Sequence, residues 1–243
     1  MSQGFFFTAV TQPLYNGIVG LIHLLPWADL GVVIIIFTIL VRLILFPVAQ
    51  RALRTQLAMQ KVQPKMDAIR EKFKNDKQQQ AQKMMELYRE YKVNPFSSIL
   101  FMFIQIPIIF GLYFMFVRAG LPVIHPDFLY SFLSVPPEVS TMFLGIFDVA
   151  QKSVLFAILA GVSQFFQAYF MKLPQPSGSK ESFGASFQKS MSFQMKYIFP
   201  IIIVFIAAAL PASVGLYWTT SNIFSIAQES FLRKKMRDQE SQK

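Results

Sequence analysis

Leu30-Gly31-Val32-Val33-Ile34-Ile35-Ile36-Phe37-Thr38-Ile39-Leu40-Val41-Arg42-Leu43-Ile44-Leu45-Phe46-Pro47 is an apolar run with one permanent cation inside it. Its length is close to the roughly 20 residues that a helix needs to cross a bilayer core. A guanidinium does not give up its proton in a protein. Near the centre of a spanning helix it costs about 2.5–3.5 kcal/mol on insertion scales. Such a side chain faces water, a partner or the protein interior. The run therefore predicts a membrane span and marks Arg42 as a functional residue.

The rest of the chain agrees with a membrane setting. Of its 243 residues 53% are hydrophobic, and the mean hydropathy of +0.43 is too high for an ordinary soluble domain. The absence of cysteine excludes disulfides, thiolate metal sites and a thiol nucleophile. Periodicity and length predict an all-α membrane protein with five transmembrane helices, at 29–48, 96–117, 152–171, 196–211 and 212–232. Residues 1–28 read as an outer interfacial segment, 49–95 as a cytoplasmic helical hairpin, 118–151 as an outer loop, 172–195 as a cytoplasmic loop and 233–243 as a basic tail. Pro211-Ala212-Ser213 supplies the break between the last two spans.

Lys and Arg placement sets the orientation. Eleven basic residues lie between the first two spans and five follow the last, whereas none precedes Arg42. The excess belongs on the cytoplasmic side, which puts the N-terminus outside and the C-terminus inside. No basic stretch precedes the first apolar segment, so no cleavable signal peptide is expected. Pro13 instead opens a short helix carrying Leu14, Gly17, Ile18, Leu21, Ile22 and Leu25 on one face, with Pro26 ending it and Trp27 at headgroup level.

The insertion between spans one and two has eleven basic against five acidic residues, a net of six positive charges. Met66, Ile69 and Phe73, then Ala81, Met84, Tyr88 and Tyr91, recur at helical spacing on either side of the Asn75-Asp76 turn signal. Pro64 is expected to kink or interrupt the first of these helices. Such a surface suits anionic lipid, ribosomal RNA or a targeting factor, and equally a solvated helical pair that obeys the charge rule.

Polar residues recur at membrane depth. Gly31, Thr38 and Arg42 share a face of span one. Ser98 and Gln105 are seven apart on span two, and Gln164 and Gln167 three apart on span three. Span five carries a stripe of Ser213, Tyr217, Thr220, Ser221, Ser225 and Gln228, with Asn222 beside it. Interhelical hydrogen bonds would absorb these groups. So would a water-filled cavity into which Arg42 projects, or from which it snorkels to the cytoplasmic interface.

Four stretches carry a family likeness: Leu40-Val41-Arg42-Leu43-Ile44-Leu45-Phe46-Pro47, Leu87-Tyr88-Arg89-Glu90-Tyr91-Lys92-Val93-Asn94-Pro95, Gln105-Ile106-Pro107-Ile108 and Gly215-Leu216-Tyr217-Trp218-Thr219-Thr220-Ser221-Asn222. In this order they resemble the YidC-type membrane protein insertases of bacteria, with relatives in mitochondria and chloroplasts. The resemblance implies a hydrophilic groove open to the cytoplasm and to lipid, closed on the outer side, in the bacterial plasma (inner) membrane. It matches Arg42 to the groove arginine, Gly31 and Thr38 to span-one contacts, and Gln105, Ile106, Pro107, Ile108 and Ile109 to span-two contacts. Tyr217 and Trp218 match the aromatic pair of the last span. Gln164, Gln167 and Ser221 complete the expected groove lining.

Phe96-Ser97-Ser98-Ile99-Leu100 departs from the usual Gly-Cys-Leu-Pro-type entry to span two, and no lipobox cysteine or large outer domain is expected. The function implied is a membrane protein insertase and chaperone that needs no cofactor and is not an enzyme. This agrees with the lack of a phosphate-binding Gly-x-x-x-x-Gly-Lys-Ser/Thr loop. The partners implied are nascent membrane proteins, the ribosome, a targeting factor, the Sec translocon and anionic lipids, with no specific DNA binding.

Two rivals are weaker. A small secondary transporter or channel ordinarily carries a membrane-embedded carboxylate or an internal repeat, and Asp29, Asp148 and Glu229 all fall near span boundaries. An intramembrane hydrolase would use Ser163, but both histidines, His23 and His125, fall outside the expected hydrocarbon core.

Overall fold

A computed structural model describes residues 4–91, 110–111, 113–118, 121, 123–136, 138–171, 190 and 192–241. Its described part is mostly helical. A π-helical stretch, Phe7–Thr11, runs into α1, Gln12–Leu24. Next come α2, Leu30–Ile44, α3, Phe46–Lys72, and α4, Lys77–Glu90. Beyond the outer segment lie α5, Val154–Phe170, then α6, Phe199–Ala209, entered through the π-helical Gln194–Ile198, and α7, Ala212–Ser241. The contact stretch Gln105, Ile106, Pro107 and Ile108, with Ile109, lies outside the described residues.

No single described helix is long and apolar enough to cross a membrane, although α2 and α3 together pass by length and composition, bent by 59°. Two features explain this. Helix α5 has 17 residues, just under a full crossing. Helix α7 has 30, a length of about 45 Å, but Ser, Thr and Asn dilute its apolar character and its last turns are basic. Helix α2 ends at Ile44 and the chain turns before Pro47, which occupies the first turn of α3. Helix α7 runs past 232 into the basic tail without a break.

Asp29 starts α2. Its Oδ1 accepts from the Val32 amide at 2.9 Å, an N-cap worth about 1 kcal/mol. Its Oδ2 accepts from Leu144 N at 3.1 Å, and Leu30 N donates to Ser140 O at 2.9 Å. The outer segment is thereby fixed to the first turn of α2. That segment contains a two-stranded antiparallel hairpin, β1 (Met142–Phe143) and β2 (Phe147–Asp148), with Phe143 opposite Phe147. Sequence pattern alone misses it, because each strand has two residues and the turn lacks an Asn-Gly or Asp-Gly signal.

The main core sits beside this hairpin. Tyr15, Ile18, Val19 and Ile22 of α1 pack with Leu30, Val33, Ile34 and Phe37 of α2, with Phe156 of α5 and with Val214, Leu216 and Tyr217 of α7. The buried face of α1 is therefore centred on Tyr15 and Val19, rotated from the expected Leu14–Leu25 stripe, while Leu14 and Leu21 pack at its edge. Asn16 binds the outer segment by its backbone, donating to Phe128 O at 2.9 Å and accepting from Tyr130 N at 2.7 Å. A second cluster, Ala157, Ala160, Ile203 and Ala207, joins α5 to α6. Small residues let these helices approach closely: a Cβ on Gly161 would lie 2.2 Å from Val204, and one on Gly215 would lie 2.8 Å from the Phe156 carbonyl oxygen.

Helix α4 packs on α3 through Val62, Met66 and Leu87, flanked by Met59, Ile69, Met84 and Tyr88. Ala81 and Tyr91, expected on this face, are exposed, and Leu87 takes the central place. Helix α3 is uninterrupted at Pro64. Asp76 caps α4, accepting from Gln78 N and Gln79 N. Burial pushes the Tyr88 phenol above its ordinary pKa, and Arg70 partly offsets this.

A buried arginine between three helices as candidate functional site

Thr38 and Arg42 lie four residues apart on α2, so one face presents both. That face meets α7, where Tyr217 and Ser221 have the same spacing. Arg42 is 8% exposed and Ser221 1%. The guanidinium donates from Nε to Ser221 Oγ at 3.0 Å and from Nη2 to the same oxygen. Tyr217 is its electrostatic neighbour. The guanidinium turns onto the polar stripe of α7 at Ser221.

The Ser221 carbonyl accepts separately from Ser225 Oγ at 2.8 Å. Thr38 Oγ1 donates to Ile34 O at 2.6 Å within its own helix. Five N–H groups converge on a guanidinium, and among the described residues Ser221 is the acceptor for two of them, with no carboxylate paired to Arg42.

The next residue of α7 points the other way. Asn222 Nδ2 donates to Ser163 Oγ of α5 at 3.0 Å, and Ser163 Oγ donates in turn to Ala160 O at 2.9 Å. One helix therefore supplies a hydroxyl to α2 and an amide to α5 from adjacent positions about 100° apart. The hydrolase reading fails here, since Ser163 is bound by Asn222 while His23 meets Ser134 O and His125 lies against Phe128. Gln164, 6% exposed, donates to Gln167 at 3.0 Å on the same helix. Trp218 is half-buried against both the outer core and the α5–α6 cluster.

Gly31 lies about 16 Å up the helix axis from Arg42. It is not part of the arginine layer. A Cβ there would lie 2.3 Å from the Phe143 ring, so this glycine is the seat of the outer hairpin. Phe143 and Phe147 both set edges against Phe156, with centroids 6.3 and 5.6 Å away. Sequence reasoning missed this seal, for which no local signal exists. It also missed Asp29, although an acidic residue just before an apolar run is a helix-start signature. Among the described residues no group of three or more His, Cys, Asp or Glu side chains is placed to hold a metal.

Residues 22–240 match the family described as the 60Kd inner membrane protein. A relative in Clostridium tetani named membrane protein insertase YidC is 30% identical over 216 residues, which cover 89% of this chain and 86% of the relative. One of the same name in Fusobacterium nucleatum subsp. nucleatum is 33% identical over 207 residues, 85% of this chain and 87% of the relative. A longer one, in Syntrophus aciditrophicus, is 34% identical over 84% of this chain but only 33% of its own length.

Proposed function

The chain belongs to the 60Kd inner membrane protein family and is similar over most of its length to insertases named YidC, and from that premise we propose that it is a membrane protein insertase working through a hydrated layer around Arg42. The family places it in the bacterial inner membrane. The transporter or channel alternative is set aside, because the curated relatives of nearly equal length are insertases by name.

The observation that carries the mechanism is a buried guanidinium that, among the described residues, is held by one hydroxyl and by no carboxylate. A dry interior would leave its remaining N–H groups unsatisfied, at a cost of about 1–3 kcal/mol for each such polar group. Water, or an acidic residue in the flank of an arriving segment, meets that demand. On this reading α2, the helix before Pro211 and the first part of α7 cross the membrane with α5 and 96–117, the N-terminus is outside, and the layer opens to the cytoplasm. Arg42 attracts the polar flank of the substrate and keeps water in the bilayer's inner half. Thr38, Gln105, Gln164, Gln167, Tyr217 and Ser221 line its path, and Ile106, Pro107, Ile108, Ile109, Trp218 and Phe224 receive the apolar segment as it moves into lipid. The driving force is burial of substrate apolar area, at about 25 cal/mol per Å². The basic α3–α4 pair and the end of α7 then face the ribosome, a targeting factor and anionic headgroups, with the Sec translocon as a neighbour in the membrane.

The test is insertion of a small membrane protein into proteoliposomes, with photocrosslinks from Thr38 and Tyr217 to a stalled nascent chain. Arg42→Ala should abolish most insertion and Arg42→Lys retain much of it, since the demand is for charge and hydration rather than a bidentate fork. Equal loss in both, or crosslinking no stronger than from a lipid-facing position such as Phe205, overturns the reading.

A further inference from the structure

The turn that joins β1 to β2 is built from residues that a water-facing turn avoids. Leu144 has φ +54° and Gly145 φ +72°. The second suits glycine. The first is a left-handed conformation that a leucine adopts only at an energetic cost, and Asn, Asp or Gly fills it readily. Leu144 is nonetheless 65% exposed and Ile146 67%. A strained backbone with an uncovered apolar side chain at the tip gains nothing from the protein itself, which points to a function for the side chain.

The level of the tip is fixed. Leu144 N is bonded to Asp29, the cap of α2. Phe143 sits on Gly31 in the first turn of α2, and Phe143 and Phe147 contact Phe156 in the first turn of α5. The hairpin therefore bridges the outer ends of two apolar helices, and its tip stands where their hydrocarbon-facing surface begins. Exposed Val154 and Leu155 continue that surface down α5. Trp27, two residues before Asp29, is 74% exposed. No Lys or Arg occurs from 119 to 151, so this segment offers no cation to draw an anionic headgroup.

We propose that Leu144 and Ile146, with Trp27 beside them, form an apolar foot set into the headgroup–acyl boundary of the outer leaflet, so that lipid holds the hairpin over Gly31. The occupant is phospholipid, bound without regard to headgroup charge. The inference rests on the proposed orientation of α2, and its test is independent of insertase activity.

The chain has no native cysteine, so Ile146→Cys and Asp127→Cys each carry a single environment-sensitive fluorophore in full-length protein reconstituted into phospholipid vesicles. Lipids spin-labelled high on the acyl chain should quench position 146 several-fold more than position 127, equally in neutral and anionic vesicles. Leu144→Asn keeps the turn and removes the apolar tip, so in that background quenching at 146 should fall towards the value at 127. Aqueous iodide reaching 146 as readily as 127 overturns the proposal. So does a blue-shifted label at 146 that lipid quenchers do not reach, which would mean cover by a second copy or another protein. So does unchanged quenching in the Leu144→Asn background. Impermeant thiol labelling of position 127 from the vesicle side that the basic tail faces would refute the orientation, while the lipid quenching still decides the contact.

Discussion

Replacing Ser221 by alanine measures whether the arginine layer is wet. In a dry bundle the change strips a buried guanidinium of its acceptor. Hydrogen bonds to charged groups are worth about 1.5–3 kcal/mol, and breaking a buried polar pair around a charge costs about 3–5 kcal/mol. Arg42 loses two donations at once, from Nε and Nη2, so the dry case sits at the top of that range. In a hydrated layer a water takes the place of the hydroxyl. A bridging water is nearly as good as the direct bond and costs about 0–2 kcal/mol to immobilise, so the expected loss is about 1 kcal/mol. Ser221→Val fills the space a water would need and should cost roughly twice as much. Ser221→Asp gives the guanidinium a permanent carboxylate; it should raise stability and reduce insertion, because the internal acid competes with the substrate flank. Reversible unfolding in mixed detergent micelles, followed by the fluorescence of Trp218, reads each difference. A loss above about 3 kcal/mol for Ser221→Ala refutes the hydrated layer.

Three further changes probe the elements around it. Gly31→Ala should destabilise by about 1–3 kcal/mol because the new methyl group collides with Phe143, and Phe143→Leu should recover part of that loss in a double-mutant cycle. Asn16→Ala removes the clamp on Phe128 and Tyr130; externally added protease should cut the 123–134 stretch faster, with about 1–3 kcal/mol lost in stability. Leu87→Ala removes one of the three buried apolar side chains joining α4 to α3; amide exchange in α4 should speed up by at least about tenfold for a local loss near 2 kcal/mol, while exchange in α5 stays unchanged.

What the sequence made legible follows from the strength of local signals. Arg42 in an apolar run is conspicuous because no other cation interrupts that stretch. The helical nature of 30–44 and 154–170 follows from apolar length alone. The polar stripe of α7 was readable as an inward face, but not its division: Ser221 turns to α2 and Asn222 to α5. That assignment depends on where two neighbouring helices lie, which periodicity does not encode. The rotation of the α1 face has a similar cause. Leucine spacing favours Leu14 and Leu21, whereas Tyr15 wins the centre because its hydroxyl reaches His125 N at 2.9 Å and its ring meets Phe128. The hairpin seal is the least legible feature, since Phe143 reaches Gly31 across more than a hundred residues of chain.

The distribution of burial also explains why an arginine is tolerated where it is. Cohesion between α1, α2, α5 and α7 is concentrated in the outer cluster, from Tyr15 and Leu30 to Phe156 and Tyr217. The α5–α6 contact rests on alanines and glycine at close approach. Between Tyr217 and the buried Leu232, the buried groups of α2 and α7 are Arg42, Ser221 and Asn222. Hydrating this lower layer therefore removes little apolar contact, because the packing that fixes the helices lies above it. The bundle is packed with apolar side chains around Gly31 and Phe143 and lined with polar ones around Arg42 and Ser221. Gly31 and Arg42, about 16 Å apart on one face of one helix, mark the two ends of that division: one gives up its side chain so that Phe143 can close the bundle, and the other keeps a charge that only water, a hydroxyl or an arriving acid can satisfy.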